Sequence, residues 1–245
     1  MALYNKTTTK VIPTIAASKQ ALGAFADEDI LFDWHEVKNF RGTEINGITA
    51  IIRGTDGADQ TLRDFDLLFA SSGIKVSPER NFSGTNVDTV GVPSLGTVHA
   101  GVTTYQWKNN LTGRVLFDVD ANAVFNDGDL DVLNIVTVSG LNIPVGQDLF
   151  MAAITKGAYD FTSTCQVSTT TATNTPDIIV KSRSALNIFA PGDTLHDEDD
   201  QPIGVVKSIA NDNNITLAEN CASVSAVNKD LYNIHPVQFI LSAST

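Results

Sequence analysis

Cysteine is nearly absent: only Cys165 and Cys221 occur, and neither sits in a CxxC pair. That spacing offers no structural zinc site. A disulfide between them would close a long loop, worth about 4 kcal/mol on chain-entropy grounds. A chain made in cytosol is expected to keep both as free thiols instead. Charge is scarce as well, at 18% of residues, and it is unbalanced: 28 acidic against 16 basic, a formal −12. No run of basic residues overrides that balance. Binding to nucleic acid needs Lys and Arg to neutralise phosphate, so neither DNA, RNA nor an anionic membrane is an expected partner. Long apolar runs are missing too. No stretch reaches about 18 apolar residues, and "MALYNKTTTKVIPTIAASKQALGAF" has no apolar centre of signal-peptide length. The expected origin is the cytosol, without a secretion or membrane address.

Catalytic patterns are lacking in the same way. His35, His99, His196 and His235 are well spread along the chain. There is no H-E-x-x-H, no G-x-S-x-G elbow, no G-x-x-x-x-G-K-[ST] phosphate loop and no G-x-G-x-x-G between strand and helix. Asp33 and Glu36 flank Trp34 and supply the two carboxylates a glycosidase needs, but such pairs are ordinary on an acidic β protein. Trp34, Trp107, Tyr105 and Phe40 could stack on sugar, although aromatics more often anchor cores and interfaces. The expectation is a chain that is not an enzyme and needs no cofactor.

What the sequence does have is Thr, Ser, Asn and Gly set among β-branched and aromatic residues, with 42% hydrophobic overall. That mix suits strands and turns. "DILFDWHEVK", "INGITAIIRG", "RDFDLLFASS", "TGRVLFDVDA", "LDVLNIVTVSG" and "LFMAAITKGAYDF" read as strands, with Phe65, Leu67 and Phe69 on one side of theirs. The expected fold is mainly β: an antiparallel sandwich or barrel-like region, then a smaller barrel-like region, with minor helix at the N-terminus and near His99. "TIAASKQALGAFAD" could form that first helix, with Ile15, Leu22 and Phe25 near one face. The expected divisions are an N-terminal arm at 1–28, a main β domain at 29–167, an exposed Thr-rich linker or loop at 168–176 and a small β domain at 177–245. Residues 71–96 read as a long loop, punctuated by Gly73, Gly84, Gly91, Gly96, Pro78 and Pro93.

Two acidic stretches invite a metal. In "HDEDDQP" the charges from Asp197 to Asp200 are consecutive, without the alternating spacers and glycine of a calcium loop. A solvated turn between two strands is the expected reading. "DVDANAVFNDGD" places Asp118, Asp120, Asn122 and Asp129 at positions 1, 3, 5 and 12 of an EF-hand loop. Ala123 stands where the loop needs glycine, Asp129 is a methylene short of the usual Glu, and the flanks look like strands. No metal is the expectation, with these four as the weak calcium candidate.

"FDWHEVKNFRGTEINGITAIIRGTDGADQTLRDFDLLFA" and "PGDTLHDEDDQPIGVVKSIANDNNITLAENCASVSAVNKDLYNI" together resemble virion structural proteins of tailed bacteriophages, especially marine and cyanobacterial ones. The second stretch looks like a small β module of head and tail proteins: a G-D turn, an acidic hairpin, a P-I-G-x-V strand, an I-T-L strand and a closing L-Y strand. The two span under half the chain. The resemblance implies a capsid decoration (cement) protein, located in the virion, that binds the major capsid protein or other virion proteins as a homotrimer. A neck, tail or baseplate component is the alternative, and a calcium-dependent carbohydrate-binding module a second one. Apolar residues scattered through the weakly patterned segments are the expected contacts: Ile12, Ile15 and Phe25 in the arm, and Ile74, Val76 and Phe82 in the long loop.

Overall fold

The structure, a computed structural model, describes residues 6–27, 29–54, 63–72, 111–127, 130–135, 141–181 and 185–245. It is mainly β, and every paired strand is antiparallel. One five-stranded sheet runs in the order β1 (Lys6–Val11), β14 (Val237–Ser244), β3 (Glu44–Arg53), β7 (Leu130–Ile135), β6 (Ala123–Asp127). A four-stranded sheet of β2 (Ile30–Glu36), β8 (Asp148–Thr155), β4 (Phe65–Ser72) and β5 (Leu111–Phe117) packs against it as a sandwich.

Period-two alternation builds this core. "VQFILSAS" in β14 buries every second residue, and Val237, Phe239 and Leu241 are wholly enclosed. Phe239 meets three rings of the facing sheet, with centroids 5.6 Å from Phe32, 6.2 Å from Phe65 and 6.5 Å from Phe117. Phe65 and Phe117 stack at 4.7 Å. The expected side of β4 (Phe65, Leu67, Phe69) does face this core. Its other side is apolar too: Leu68 groups with Ile30, Ala152 and Ile154, and Ala70 with Phe150. A strand buried on both faces reads as a continuous apolar run, as "DLLFA" does.

A second core belongs to the sheet β13 (Leu231–Asn233), β10 (Thr194–Asp197), β11 (Pro202–Asn211), β12 (Asn214–Leu217), β9 (Asp177–Ile179). Single bridges, Gln166 to Asp230 and Val167 to Val180, draw the two edges toward each other, yet the strands do not form the closed barrel that was one expectation. Gly204 in β11 carries φ +148°, and a β-carbon there would come within 2.9 Å of Leu217. It pairs with Leu195, where the β10–β11 register slips by a residue, which is the work of a β-bulge. The helices are single turns: α1 (Ala17–Gln20), α2 (Val119–Asn122) and α3 (Ala185–Ile188). His99 lies outside the described residues.

Two expected divisions are corrected. Residues 237–244 do not complete the small β region; β14 returns to the sandwich and lies between β1 and β3. Residues 6–27 do not extend as an arm. β1 pairs with β14 from Lys6–Ser244 to Val11–Phe239, and α1 packs Ala17 on Tyr232 and Ile234. The buried Gln20 amide donates to Ile15 O at 2.8 Å and Asn233 O at 3.0 Å. Leu22, expected on the buried face, is 59% exposed. Residues 168–176 form a loop, as expected, although Thr171 within it is buried, accepting from Ser225 N at 2.6 Å and donating to Ser223 O at 3.1 Å.

Candidate assembly surface

The acidic run at 196–200 forms the β10–β11 turn, as expected, but it is not uniformly solvated. Asp197 is 2% exposed. Its Oδ1 accepts from Asp199 N and Gln201 N, both at 3.0 Å, and its Oδ2 from the Ser225 hydroxyl at 2.9 Å. Asp200 holds φ +62°, a left-handed position that Asp tolerates, and its Oδ1 accepts from Ser18 N at 3.0 Å. Lys229 bridges Glu198 at 2.6 Å and Asp199 at 2.9 Å, and those two acceptors raise its pKa. Each carboxylate of the run therefore serves the turn or the N-terminal segment. Asp197→Ala strips three donors of their acceptor and is expected to cost about 3 kcal/mol, measured by urea unfolding.

At the calcium candidate, Asp118 caps α2 by accepting from Ala121 N at 3.2 Å, and the Asn122 side-chain oxygen accepts from Asp118 N at 2.9 Å. Two of the four proposed donors are thus turned to the chain's own backbone. Asp120 is exposed, and Asp129 lies outside the described residues. Among the described residues no group of three or more His, Cys, Asp or Glu could hold a metal. Chelator is expected to leave the melting temperature unchanged, since a cation bound only by the native state would raise it.

The other candidates sit as follows. Both thiols are free and buried, and burial pushes Cys165 up to about 12, which leaves it unreactive. Asp33 Oδ1 accepts from Trp34 N at 2.7 Å. Trp34 is half-buried against the outer clusters of the four-stranded sheet, and Phe40 is half-buried against the sandwich core. Tyr105 and Trp107 lie outside the described residues.

Of the expected contact residues, Ile15 and Phe25 are corrected. They are 0% and 1% exposed within the chain's own cores. Ile15 N donates to Ile234 O at 2.9 Å, and Phe25 N to Tyr159 O at 2.7 Å. Ile12 is half-buried and lines a shallow groove of about 280 Å³ with Lys10, His35, Glu36 and Lys38. Ile74, Val76 and Phe82 lie outside the described residues.

Sequence reasoning missed the surface beside Ile12. Among the described residues β1 is a sheet edge, bonded on one side only. A second groove, of about 350 Å³, opens at its other end between Lys6, Gly47, Thr49, Asn134 and Ser242. The register lines up Lys10, Ile240, Thr49 and Asn134 in one row across four strands, with Thr49 Oγ1 donating to Asn134 Oδ1 at 3.0 Å. The next row holds Gln238, Ile51 and Val132. Lys10 is exposed and the others are half-buried, and all alternate with the core residues, so they face away from the sandwich. The rows carry a cation but no carboxylate, on a chain of formal charge −12. The signal was present: Thr, Ser, Asn and Gly alternate with Ile and Phe in β3 and β14.

Compared with protein-family models and with curated proteins, the chain matches none.

Proposed function

We propose that this chain is a non-enzymatic structural component of a virion, most suitably a capsid decoration protein that strengthens a head shell. The observation carrying the reading is the outer sheet face beside β1, whose two central rows hold no carboxylate and include the apolar Ile240, Ile51 and Val132. Acidic surface elsewhere keeps such a particle soluble and turns it away from nucleic acid, while the uncharged Ile240, Thr49, Asn134, Gln238, Ile51 and Val132 of the face lose less on desolvation than carboxylates would. The resemblance of residues 191–234 to a module of phage head and tail proteins supports the same class. In this reading the face meets the major capsid protein, and a homotrimer sets several copies of it on the shell at once.

The test places a charge on the face without touching the core. Thr8→Glu and Thr49→Glu each put a carboxylate on an outward position of β1 or β3. Each is expected to cut co-sedimentation with particles by at least about tenfold, a 1.4 kcal/mol loss, while circular dichroism and melting stay close to those of the parent. Undiminished co-sedimentation of both variants would remove this face from the account. Deleting residues 1–28 is the wrong test, because it removes β1, Ile15 and Phe25 and is expected to weaken the fold itself.

A further inference from the structure

Among the described residues, β1 and β2 are outermost strands of the two sheets of the sandwich, each paired on one side only. In an antiparallel ladder, alternate residues turn both N–H and C=O to the same neighbour. Half of β1 therefore turns its backbone groups to β14, and the other half turns them outward. Such an edge is a template for a further strand. The groove of about 280 Å³ lies between the ends of β1 and β2, with Lys10, Val11 and Ile12 on one side and His35, Glu36 and Lys38 on the other. Alternation puts Lys6, Thr8 and Lys10 on the exposed face of β1. Lys6, Lys10 and Lys38 are all exposed, and none makes an ion pair with a described residue. Two carboxylates lie on this side. Glu36 is in the groove, and Glu44 is two strands from Lys6 through Ser244, about 10 Å at the usual strand spacing. A chain of formal charge −12 thus keeps unpaired cations along an open edge.

We propose that the β1 edge takes up an extended acidic segment of a partner protein as an added antiparallel or parallel strand, with two carboxylates four residues apart set opposite Lys6 and Lys10. Backbone pairing supplies attraction that any extended segment can use, and the cross-strand ion pairs select an acidic one. Val11 and Ile12 give the adjoining groove an apolar wall, which suits apolar residues alternating with the acids. A second copy of this chain fits poorly. Two β1 strands paired about a two-fold axis at Thr8 set Lys6 opposite Lys10 twice, and like charges directly opposite are unfavourable. Edge lysines keep a sheet from joining its own kind in this way, while the same charges attract a strand of carboxylates. Nucleic acid would answer the lysines but not the backbone ladder, and the acidic remainder of the surface repels it. In the virion reading the segment belongs to a shell protein. That placement rests on the function proposed above; the strand pairing stands without it.

Fluorescence anisotropy on the isolated full chain tests the edge with no shell present. The probe is a capped, labelled peptide of about nine residues that alternates Thr and Val, with Glu replacing two of the Thr four positions apart. Saturable binding with a Kd below about 1 mM is expected. Changing both Glu to Gln is expected to weaken it about tenfold, the worth of two cross-strand ion pairs. Lys6→Gln with Lys10→Gln should weaken the Glu peptide by the same factor and leave the Gln peptide unchanged. N-methylation of alternate peptide amides reads the ladder itself: methylating one alternate set abolishes binding, and methylating the other preserves it. Equal binding by the two methylated peptides, or equal affinity for the Glu and Gln peptides, overturns the proposal. So does an absence of binding, including the case in which the chain sediments as a dimer that occupies the edge. The two readings fail separately. A peptide that binds while particles carry the protein only on tails removes the shell reading and keeps the strand. A peptide that does not bind, while Thr49→Glu still cuts co-sedimentation, keeps the outer face and removes the strand.

Discussion

Phe239→Ala is expected to remove about 4 kcal/mol, the middle of the range for deleting a buried aromatic, and that is a large part of the stability of an ordinary domain. The ring is 0% exposed and joins the two sheets of the sandwich through Phe32, Phe65 and Phe117. β14 carries it between β1 and β3, so the cavity opens in the middle of a sheet, where its walls cannot collapse. Phe239→Leu keeps most of the volume and should cost less than half as much. Denaturant unfolding of the three proteins measures the series. A loss below about 1 kcal/mol for the alanine variant would mean that β14 does not lie in this core.

Arg53→Ala is the second large effect, at about 3 kcal/mol. Arg53 ends β3 in the sandwich, and its guanidinium reaches the small β region: Nη1 lies 2.5 Å from Asp193 Oδ1, and Nη2 donates to Ile188 O at 3.2 Å. Asp193 is 7% exposed, so removing the cation strands a buried carboxylate. Its Oδ2 also accepts from Ala190 N at 2.8 Å, a bond that an asparagine oxygen can keep. Adding Asp193→Asn to Arg53→Ala should therefore recover part of the loss. Because this pair ties the two cores, the single variant is expected to melt in two steps where the parent melts in one. A single unshifted transition would show that the two cores are held together elsewhere.

Much of the fold was legible in the sequence because alternation and turn chemistry are local. β3, β4, β8 and the hairpin of β10 and β11 all fall within stretches whose β-branched and aromatic spacing marks them as strands. The errors are non-local. "LYNIHPVQFIL" reads as one strand, yet it splits at Ile234–Pro236: β13 joins the small sheet and β14 the sandwich. Pro236 was the available signal, since a proline in a run cannot donate to a ladder. "KTTTKV" shows no apolar alternation and reads as an arm. At a sheet edge it needs little, because backbone pairing with β14 holds it, and that pairing joins residues at opposite ends of the chain. Ile15 and Phe25, expected at an interface with another subunit, are buried in the chain's own cores instead. The alternation that builds the open face was present in each strand, but not the order that assembles it. Its side chains were readable as the polar halves of separate strands, but only the sheet order sets Lys10, Ile240, Thr49 and Asn134 side by side.

The central claim is that the chain decorates a shell, and gold labelling of purified particles in negative stain tests it most directly. An antibody against the full chain marks its position. The account predicts label over the head surface, away from the open β1 face that meets the shell. Label confined to tails or necks, or particles that carry none of the protein, would contradict it.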